Sequence, residues 1–539
     1  MARNATSATL FTGGKLWSPA EWAAPRAADL LVRNGRIVAL GTDLAQPADA
    51  DVVDLAGGTL LPAFADGHAH PLQAGLEALF APVRGESIES ILTGVREWAT
   101  EHPDAEWIYG GGFDLTLASG GVFDSHWLDA VVADRPVVLH AMDYHTLWCN
   151  SEALRRAGLN SDTPEPADGD IVRRPDGSPI GTLREWGATD PVFAVMPEQD
   201  PEQQVRAIDR ATKLCAAAGL TWIQDAWVDP ADAHAYVAAA ARGALNIRVN
   251  LALRVDPATW RVQVPNFTGL RQHVDDIGYP RLTARTVKFF VDGVIESGTA
   301  AMLEPYLDCA HSRGLPNWQQ GELVAAVAAF SAAGFQAHLH AIGDAAIRSA
   351  LDAVEASADV IARGDLRPVI AHLQVIDPAD LGRFSELGVI ACFQPLWAQP
   401  DSTQEVLTTP RIGPERAALQ YPMGTLSTAG ALLSFGSDWP VTDLAPLAGI
   451  ATAVTRQTPA GEPEGGWYPH ERMDLRAALR AYTRGTAALG FRDDAGLLEP
   501  GSVADLVWLG VDLTTSTAAT VGQLRESPVL GTWLAGERI

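Results

Sequence analysis

Two histidines one residue apart close the stretch Pro62-Ala63-Phe64-Ala65-Asp66-Gly67-His68-Ala69-His70. In an extended chain, residues two apart face the same side, so His68 and His70 could grip one divalent cation. Alone, a His-x-His reads as readily as two polar turn residues. Four further residues stand at or beside apolar runs. Lys288 is inside Val287-Lys288-Phe289-Phe290-Val291, and His340 ends Ala337-His338-Leu339-His340. His372 ends Val369-Ile370-Ala371-His372, and Asp438 follows Ser434-Phe435-Gly436-Ser437. Taken singly, His340 and His372 are core histidines satisfied by backbone groups. Lys288 is a snorkelling lysine, and Asp438 caps a helix. Taken together, the six are what a two-metal hydrolytic site could use. Such metals polarise a carbonyl and bring the pKa of bound water to about 7. An ammonium has three donors and no acceptor. Lys288 therefore joins such a site only as a neutral amine or as a carbamate whose oxygens could bridge two metals.

Convergence requires a scaffold in which all these positions meet. The run Gly58-Thr59-Leu60-Leu61 reads as a buried strand that leads into His68 and His70. Seven more short apolar runs follow, at 221–225, 247–251, 286–290, 335–340, 368–372, 389–393 and 432–436, mostly separated by helical patterns such as 203–218 and 231–242. Eight such units predict an α/β chain folded as a (β/α)8 TIM barrel, with its active site at the C-terminal strand ends. Each of the six residues lies at that end of its strand.

The first 61 residues have the texture of short strands. Asn34-Gly35 between two apolar runs is a strong hairpin signal. The far end, from Gly501-Ser502-Val503-Ala504-Asp505 to Trp533-Leu534-Ala535-Gly536, looks the same. The two ends are expected to pair into one small β domain. The predicted layout is 1–61 for its first part, 62–486 for the barrel with 75–195 inserted after strand one, and 487–539 for its second part. The insertion could roof a pocket, and 160–182, rich in Pro, Asp and Gly, reads as an exposed loop.

Composition narrows the partners. Hydrophobic residues at 47% and charged residues at 19% describe a globular chain. The net charge of −27, from 66 acidic and 39 basic residues, argues against nucleic acid and against an anionic membrane surface. The first residues lack an apolar core of signal-peptide length, and no run reaches about 18 apolar residues. Cys149, Cys215, Cys309 and Cys392 are scattered and read as reduced thiols. The expectation is a cytoplasmic protein with a small-molecule substrate.

Several longer motifs extend this reading. Asp66-Gly67-His68-Ala69-His70, Asp143-Tyr144-His145 with Trp148 and Asn150-Ser151, and Val287-Lys288-Phe289-Phe290-Val291-Asp292-Gly293 are three of them. Others are His340-Ala341-Ile342-Gly343-Asp344, His372-Leu373-Gln374, Gly436-Ser437-Asp438-Trp439-Pro440 and Leu498-Glu499-Pro500-Gly501-Ser502-Val503-Ala504-Asp505-Leu506-Val507. Over nearly the whole chain they resemble the amidohydrolase superfamily, in particular its YtcJ-like branch, which includes the N-substituted formamide deformylases. Ala63 departs from that branch, which usually has Gly there.

The resemblance implies a metal-dependent hydrolase with a barrel and a β-sandwich built from both termini. His68, His70 and Asp438 would bind a first metal and His340 and His372 a second, with carboxylated Lys288 as the bridge. Zinc is the expected ion, one or two per chain. His338 makes a second His-x-His, but His340 is the residue that matches. A metal-activated hydroxide would attack an amide-type carbonyl while Asp438 moves the proton. His145 would polarise the carbonyl or hold substrate, and Glu185 would face the site. Trp148 and Trp439, like Trp397, would suit an apolar or aromatic substrate. An N-substituted formamide leads, with cyclic amides or imides as the alternative. Two other readings are an inactive metal-binding homologue and a metal-free enzyme using Lys288 as a Schiff base. A homo-oligomer is compatible with such enzymes, although no interface pattern is evident.

Overall fold

In the computed structural model, residues 8–166, 168–515 and 518–539 are described. Eight strands pair in parallel, in chain order, in one sheet: β1 (Phe64–Ala69), β2 (Leu220–Val228), β3 (Arg248–Arg254), β4 (Leu282–Phe290), β5 (Gln336–Ala341), β6 (Val369–His372), β7 (Ile390–Phe393) and β8 (Leu433–Phe435). Helices on the outside cover them. The helix Pro201–Ala217 shows why these segments form. Asp200 caps its N-terminus, Pro201 fits the first turn, and Val205, Ile208, Ala211, Thr212 and Cys215 form a buried stripe at helical spacing. The helix Asp344–Ala356 likewise buries Ile347, Ala350, Leu351 and Val354.

The strand before the first histidines needs correction. Thr59–Pro62 belongs to the small β domain, where it pairs with Lys15–Leu16 and Leu506–Leu509. The chain passes through Ala63 and begins β1 at Phe64, so His68 lies within the barrel strand and His70 just beyond it. Every residue from 58 to 72 is buried. Such a continuous run carries no alternation to mark the change of sheet.

β1 and β8 meet without a regular ladder, and the loop after β8 closes the ring. Asp438 N donates to His68 O at 2.7 Å, and His70 N donates to Trp439 O at 2.7 Å. Ser437 donates through its N and Oγ to the Asp66 carboxylate. This closeness explains two glycines. A Cβ on Gly67 would lie 2.5 Å from Ser434 Oγ, and one on Gly436 would lie 2.6 Å from His68 N.

The small domain joins both ends of the chain. One sheet holds Arg36–Gly41, Asp29–Arg33, Ala8–Thr12 and Ala50–Asp54. The other orders Glu537–Arg538, Val529–Leu534, Leu506–Leu509, Thr59–Pro62, Lys15–Leu16 and Arg26–Ala27. Phe11, Leu30, Val32, Leu60, Leu506 and Trp533 pack together in its core. The Asn34-Gly35 hairpin forms, with φ of 52° and 74°. Among the described residues no helix is long and apolar enough to cross a membrane, and all four cysteines are free.

Between β1 and β2 the insertion folds into a six-stranded sheet: Asp170–Arg173, Pro179–Arg184, Thr146–Cys149, Val137–Ala141, Ile108–Phe113 and Ala81–Pro82. The expected loop at 160–182 is thus partly a hairpin. Its turn is polar, but Ile171 and Leu183 pair and are buried, and that outweighs the composition.

Asp505 ties the small domain to the barrel. Its carboxylate receives Arg248 Nη1 from β3 at 2.7 Å, Arg492 Nη2 at 2.5 Å and Ala535 N at 2.8 Å. Burial pushes this carboxyl up, yet Arg492 and Arg248 outweigh it and hold it below the usual range. Its contribution is therefore complete above the unfolded-state pKa and disappears as pH falls through the lower folded value. Asp505→Asn leaves two guanidinium groups without their buried partner. The expected cost is about 3–5 kcal/mol, read as an earlier midpoint in chemical denaturation at pH 7. A midpoint equal to wild type would contradict this role.

Candidate active site

The barrel brings all six sequence-derived residues together. His68, Lys288, His340 and His372 come from β1, β4, β5 and β6, and His70 and Asp438 from the loops after β1 and β8. All are buried, and all line one open-mouthed cavity. Asp114, Tyr144 and His145 of the insertion help to wall it.

The ligand-type atoms are close. One oxygen of Asp438 and one ring nitrogen each of His68 and His372 lie within 4.8 Å of one another. Asp438 Oδ1 is 2.8 Å from His70 Nε2 and 3.5 Å from His68 Nε2. The His372 ring centroid is 4.6 Å from that of His68 and 4.5 Å from that of His340. Lys288 Nζ is 3.3 Å from His68 Nε2 and 4.6 Å from the centre of the Phe290 ring.

Outer partners fix the rings. His340 Nε2 meets Gly293 O at 3.2 Å, and His372 Nδ1 meets Gln394 Oε1 at 2.9 Å. An oxygen acceptor needs the N–H on that side, so the other nitrogen of each ring keeps its lone pair. His68 Nδ1 meets His338 Nε2 at 2.8 Å. His338, two residues earlier on β5 than His340, therefore supports His68 rather than standing in for His340.

Burial pushes His68, His340 and His372 well below the ordinary imidazole range. It also lowers His70 against the opposing charge of Asp438. Burial brings Lys288 down to about 7, with Asp438 opposing. Among the described residues, His70 Nδ1 is buried without a hydrogen-bond partner, and Asp438 Oδ1 is faced only by the ring nitrogens of His70 and His68. Neutral imidazoles and a carboxylate, gathered in one buried cluster, are a donor set that fits a divalent cation.

His145 faces the same cavity from the insertion. Its Nδ1 is 2.9 Å from Glu185 Oε2, and Glu185 Oε1 accepts from Thr299 Oγ1 at 2.5 Å. Burial disfavours the imidazolium, but Glu185, Asp143 and Asp292 outweigh it and raise His145 to about 9. Glu185 does not line the cavity; it positions His145. It is held at φ 60° and ψ 172°, a region nearly reserved for glycine. His372 and Asp438 also have positive φ, 77° and 56°.

A protein-family model described as the amidohydrolase family matches residues 51–539. The chain belongs to the amidohydrolase family. It is 30% identical over 555 residues to the protein LONG AFTER FAR-RED 3 of Arabidopsis thaliana, covering 99% of this chain and 91% of that one. It is 28% identical over 531 residues to the N-substituted formamide deformylase of Arthrobacter pascens, covering 94% of each. An uncharacterized metal-dependent hydrolase from Pyrococcus furiosus superposes with a TM-score of 0.70 at 24% identity, covering 94% of this chain and 100% of that one. That likeness supports the fold, a barrel with an added β domain.

Not every expected residue reaches the amidohydrolase pocket. Trp148 is wholly buried in the insertion core, edge-on to Phe113, and donates from Nε1 to Asp124 O at 3.0 Å. Trp439 packs against the barrel core and does not line the cavity. Trp227 and Trp397 line it instead, and Trp397 stacks on His372 at 5.2 Å. Sequence reasoning also passed over three buried carboxyls. Asp66 accepts from His68 N at 3.0 Å. Asp225 stands 3.9 Å from His70 Nδ1 and accepts from Tyr236 Oη at 2.5 Å. Asp292 stands 3.8 Å from His340 Nε2 and accepts from the backbone N–H groups of Ala301, Ile342 and Gly343. Burial raises Asp66 and Asp292 to about 7 and Asp225 to about 8. Asp225 carried the same signal as His340, a polar residue at the end of an apolar barrel run.

Proposed function

We propose that this amidohydrolase uses divalent metal to cleave an amide-type C–N bond of a small organic substrate, with N-substituted formamides first and cyclic amides or imides second. The observation that carries the reading is the buried cluster of His68, His372 and Asp438, with His70, His340 and Lys288 around it and His145 on the same cavity. His68, His70 and Asp438 would hold one ion, His340 and His372 a second, and Lys288 as its carbamate would join them. Zinc suits these nitrogen and oxygen donors. When bound, the metal supplies Lewis-acid polarisation and a water of lowered pKa.

The chain's own groups do the rest. Asp438, at the end of β8, accepts the proton of the attacking water and returns it to the departing nitrogen. His145, kept charged by Glu185, donates from Nε2 to the substrate carbonyl oxygen, where negative charge develops. Phe290, Trp227 and Trp397 give the cavity an apolar wall that limits competing water. The four free cysteines suit a reducing cytoplasm, and the acidic surface suits a small-molecule enzyme without a nucleic-acid partner.

The deciding experiment compares metal-loaded and chelated protein on N-alkyl and N-aryl formamides, then on cyclic amides and imides, following release of the amine or acid. Hydrolysis that disappears on chelation and returns with zinc is the expected result. Failure of the metal-loaded protein on every C–N substrate, or activity indifferent to chelation, would overturn the reading.

A further inference from the structure

Away from the histidines, the cavity wall mixes apolar side chains such as Leu115, Val294 and Leu407 with a group of acceptors. Three carboxylates from distant parts of the chain line it: Asp114 from the insertion, Glu296 from the loop after β4, and Asp401 from the segment after β7. They are near enough that Glu296 and Asp114 add to the effect of burial in raising Asp401 to about 6. Among the described residues none of the three forms an ion pair with a lysine, arginine or histidine. Their recorded partners are neutral donors. Glu296 Oε1 accepts from Thr408 Oγ1 at 2.7 Å and from Gln374 Nε2 at 3.5 Å. Asp401 Oδ1 accepts from Gln404 N at 2.9 Å, and Asp114 Oδ1 from Thr116 N at 2.8 Å.

A second, independent feature lies beside them. Gln404 lines the cavity and is only 4% exposed; its Nε2 donates to Tyr421 Oη at 3.4 Å, while its Oε1 has no hydrogen-bond partner. A buried acceptor left unmet is destabilising until a donor reaches it. Gln404 opens a single π-helical turn, Gln404–Thr408, a form of helix frequent at functional sites. The nitrogen bases Lys288 and His145 on the cavity belong to the histidine end already described. The aromatic rings of Tyr421 and Trp397 complete this wall. Carboxylates, an unmet carbonyl and aromatic rings together ask for a donor-rich cation.

We infer that the substrate carries a cationic nitrogen group, an ammonium or amidinium, which sits among Asp401, Glu296, Asp114 and Gln404 Oε1 while the scissile bond faces the histidines. This rests on the hydrolytic reading for the placement of the scissile bond, but the cation site is testable without turnover. The net charge of −27 would draw such a substrate in.

The test is calorimetric titration of the metal-loaded protein with benzamidine and with benzamide, its neutral counterpart. Benzamidine is expected to bind about 10–100-fold more tightly, the range for hydrogen bonds to a charged group. In Glu296→Gln/Asp401→Asn that preference should fall to about threefold or less. Gln404→Leu, which removes no charge, should weaken benzamidine and leave benzamide unchanged; it also serves if the double variant fails to fold. Equal binding of the two probes by wild type, or a preference that survives in both variants, would overturn the inference. Binding needs no catalysis, so a failed amide screen would sink the hydrolytic reading alone.

Discussion

Lys288→Ala is expected to lower bound metal from about two per chain to one or none. The rate should fall with it by about 10³-fold, the value of several kcal/mol of lost charge stabilisation. The lysine is wholly buried, its Nζ 3.3 Å from His68 Nε2 and beside Asp438. On the proposed reading, a protonated amine there would repel a cation held by four imidazoles and a carboxylate, whereas a carbamate would offer it two oxygens. Elemental mass spectrometry on native and variant protein reads the metal directly. Acetate or formate, offering a carboxylate in the vacated space, should restore part of the activity. Thermal unfolding separates loss of a ligand from collapse of the barrel. An unchanged metal content in Lys288→Ala would place the lysine outside the metal site.

Asp438→Asn is expected to reduce kcat by about 10²–10⁴-fold, the range for a general acid–base group. Asparagine is the informative replacement because residue 438 has φ 56°, a left-handed conformation that Asn tolerates and most other residues do not. The backbone hydrogen bond from Asp438 N to His68 O then survives, and only the charge and basicity are removed. Kinetics on whichever amide the wild type hydrolyses best, with metal content measured in parallel, checks the prediction. Activity within about tenfold of wild type in a metal-loaded variant would deny Asp438 the proton-moving role.

The sequence made the barrel legible because seven of its eight inner runs are short, apolar and mostly separated by helices, and because His340, His372 and Lys288 break those runs at one end. The Asn34-Gly35 turn was equally readable, since few sequences satisfy two successive positive φ angles. Other features depend on pairings between distant residues. Nothing in Gly58–His70 alone shows that Leu61 pairs with Val507 while Phe64 pairs with Leu220. Trp148 lies beside a site motif in sequence but packs into the core on Phe113 and Phe123. The contact between Glu185 and His145 spans 40 residues, and the grouping of Asp114, Glu296 and Asp401 needs three loops to be folded at once. The hairpin that delivers Glu185 was hidden by a polar turn composition.

The closing of the ring between β1 and β8 has a consequence for how the chain is made. His68 and His70 leave the ribosome early, and Asp438 and Ser437 leave some 371 residues after Asp66, the sequence separation of the contact that joins them. A partly synthesised chain can build helices and neighbouring strands as it emerges, since those contacts are local. It cannot place the Asp438 carboxylate against the first two histidines until the eighth strand has docked. A chain cut short before the eighth strand therefore lacks the carboxylate that stands against His68 and His70 in the finished barrel.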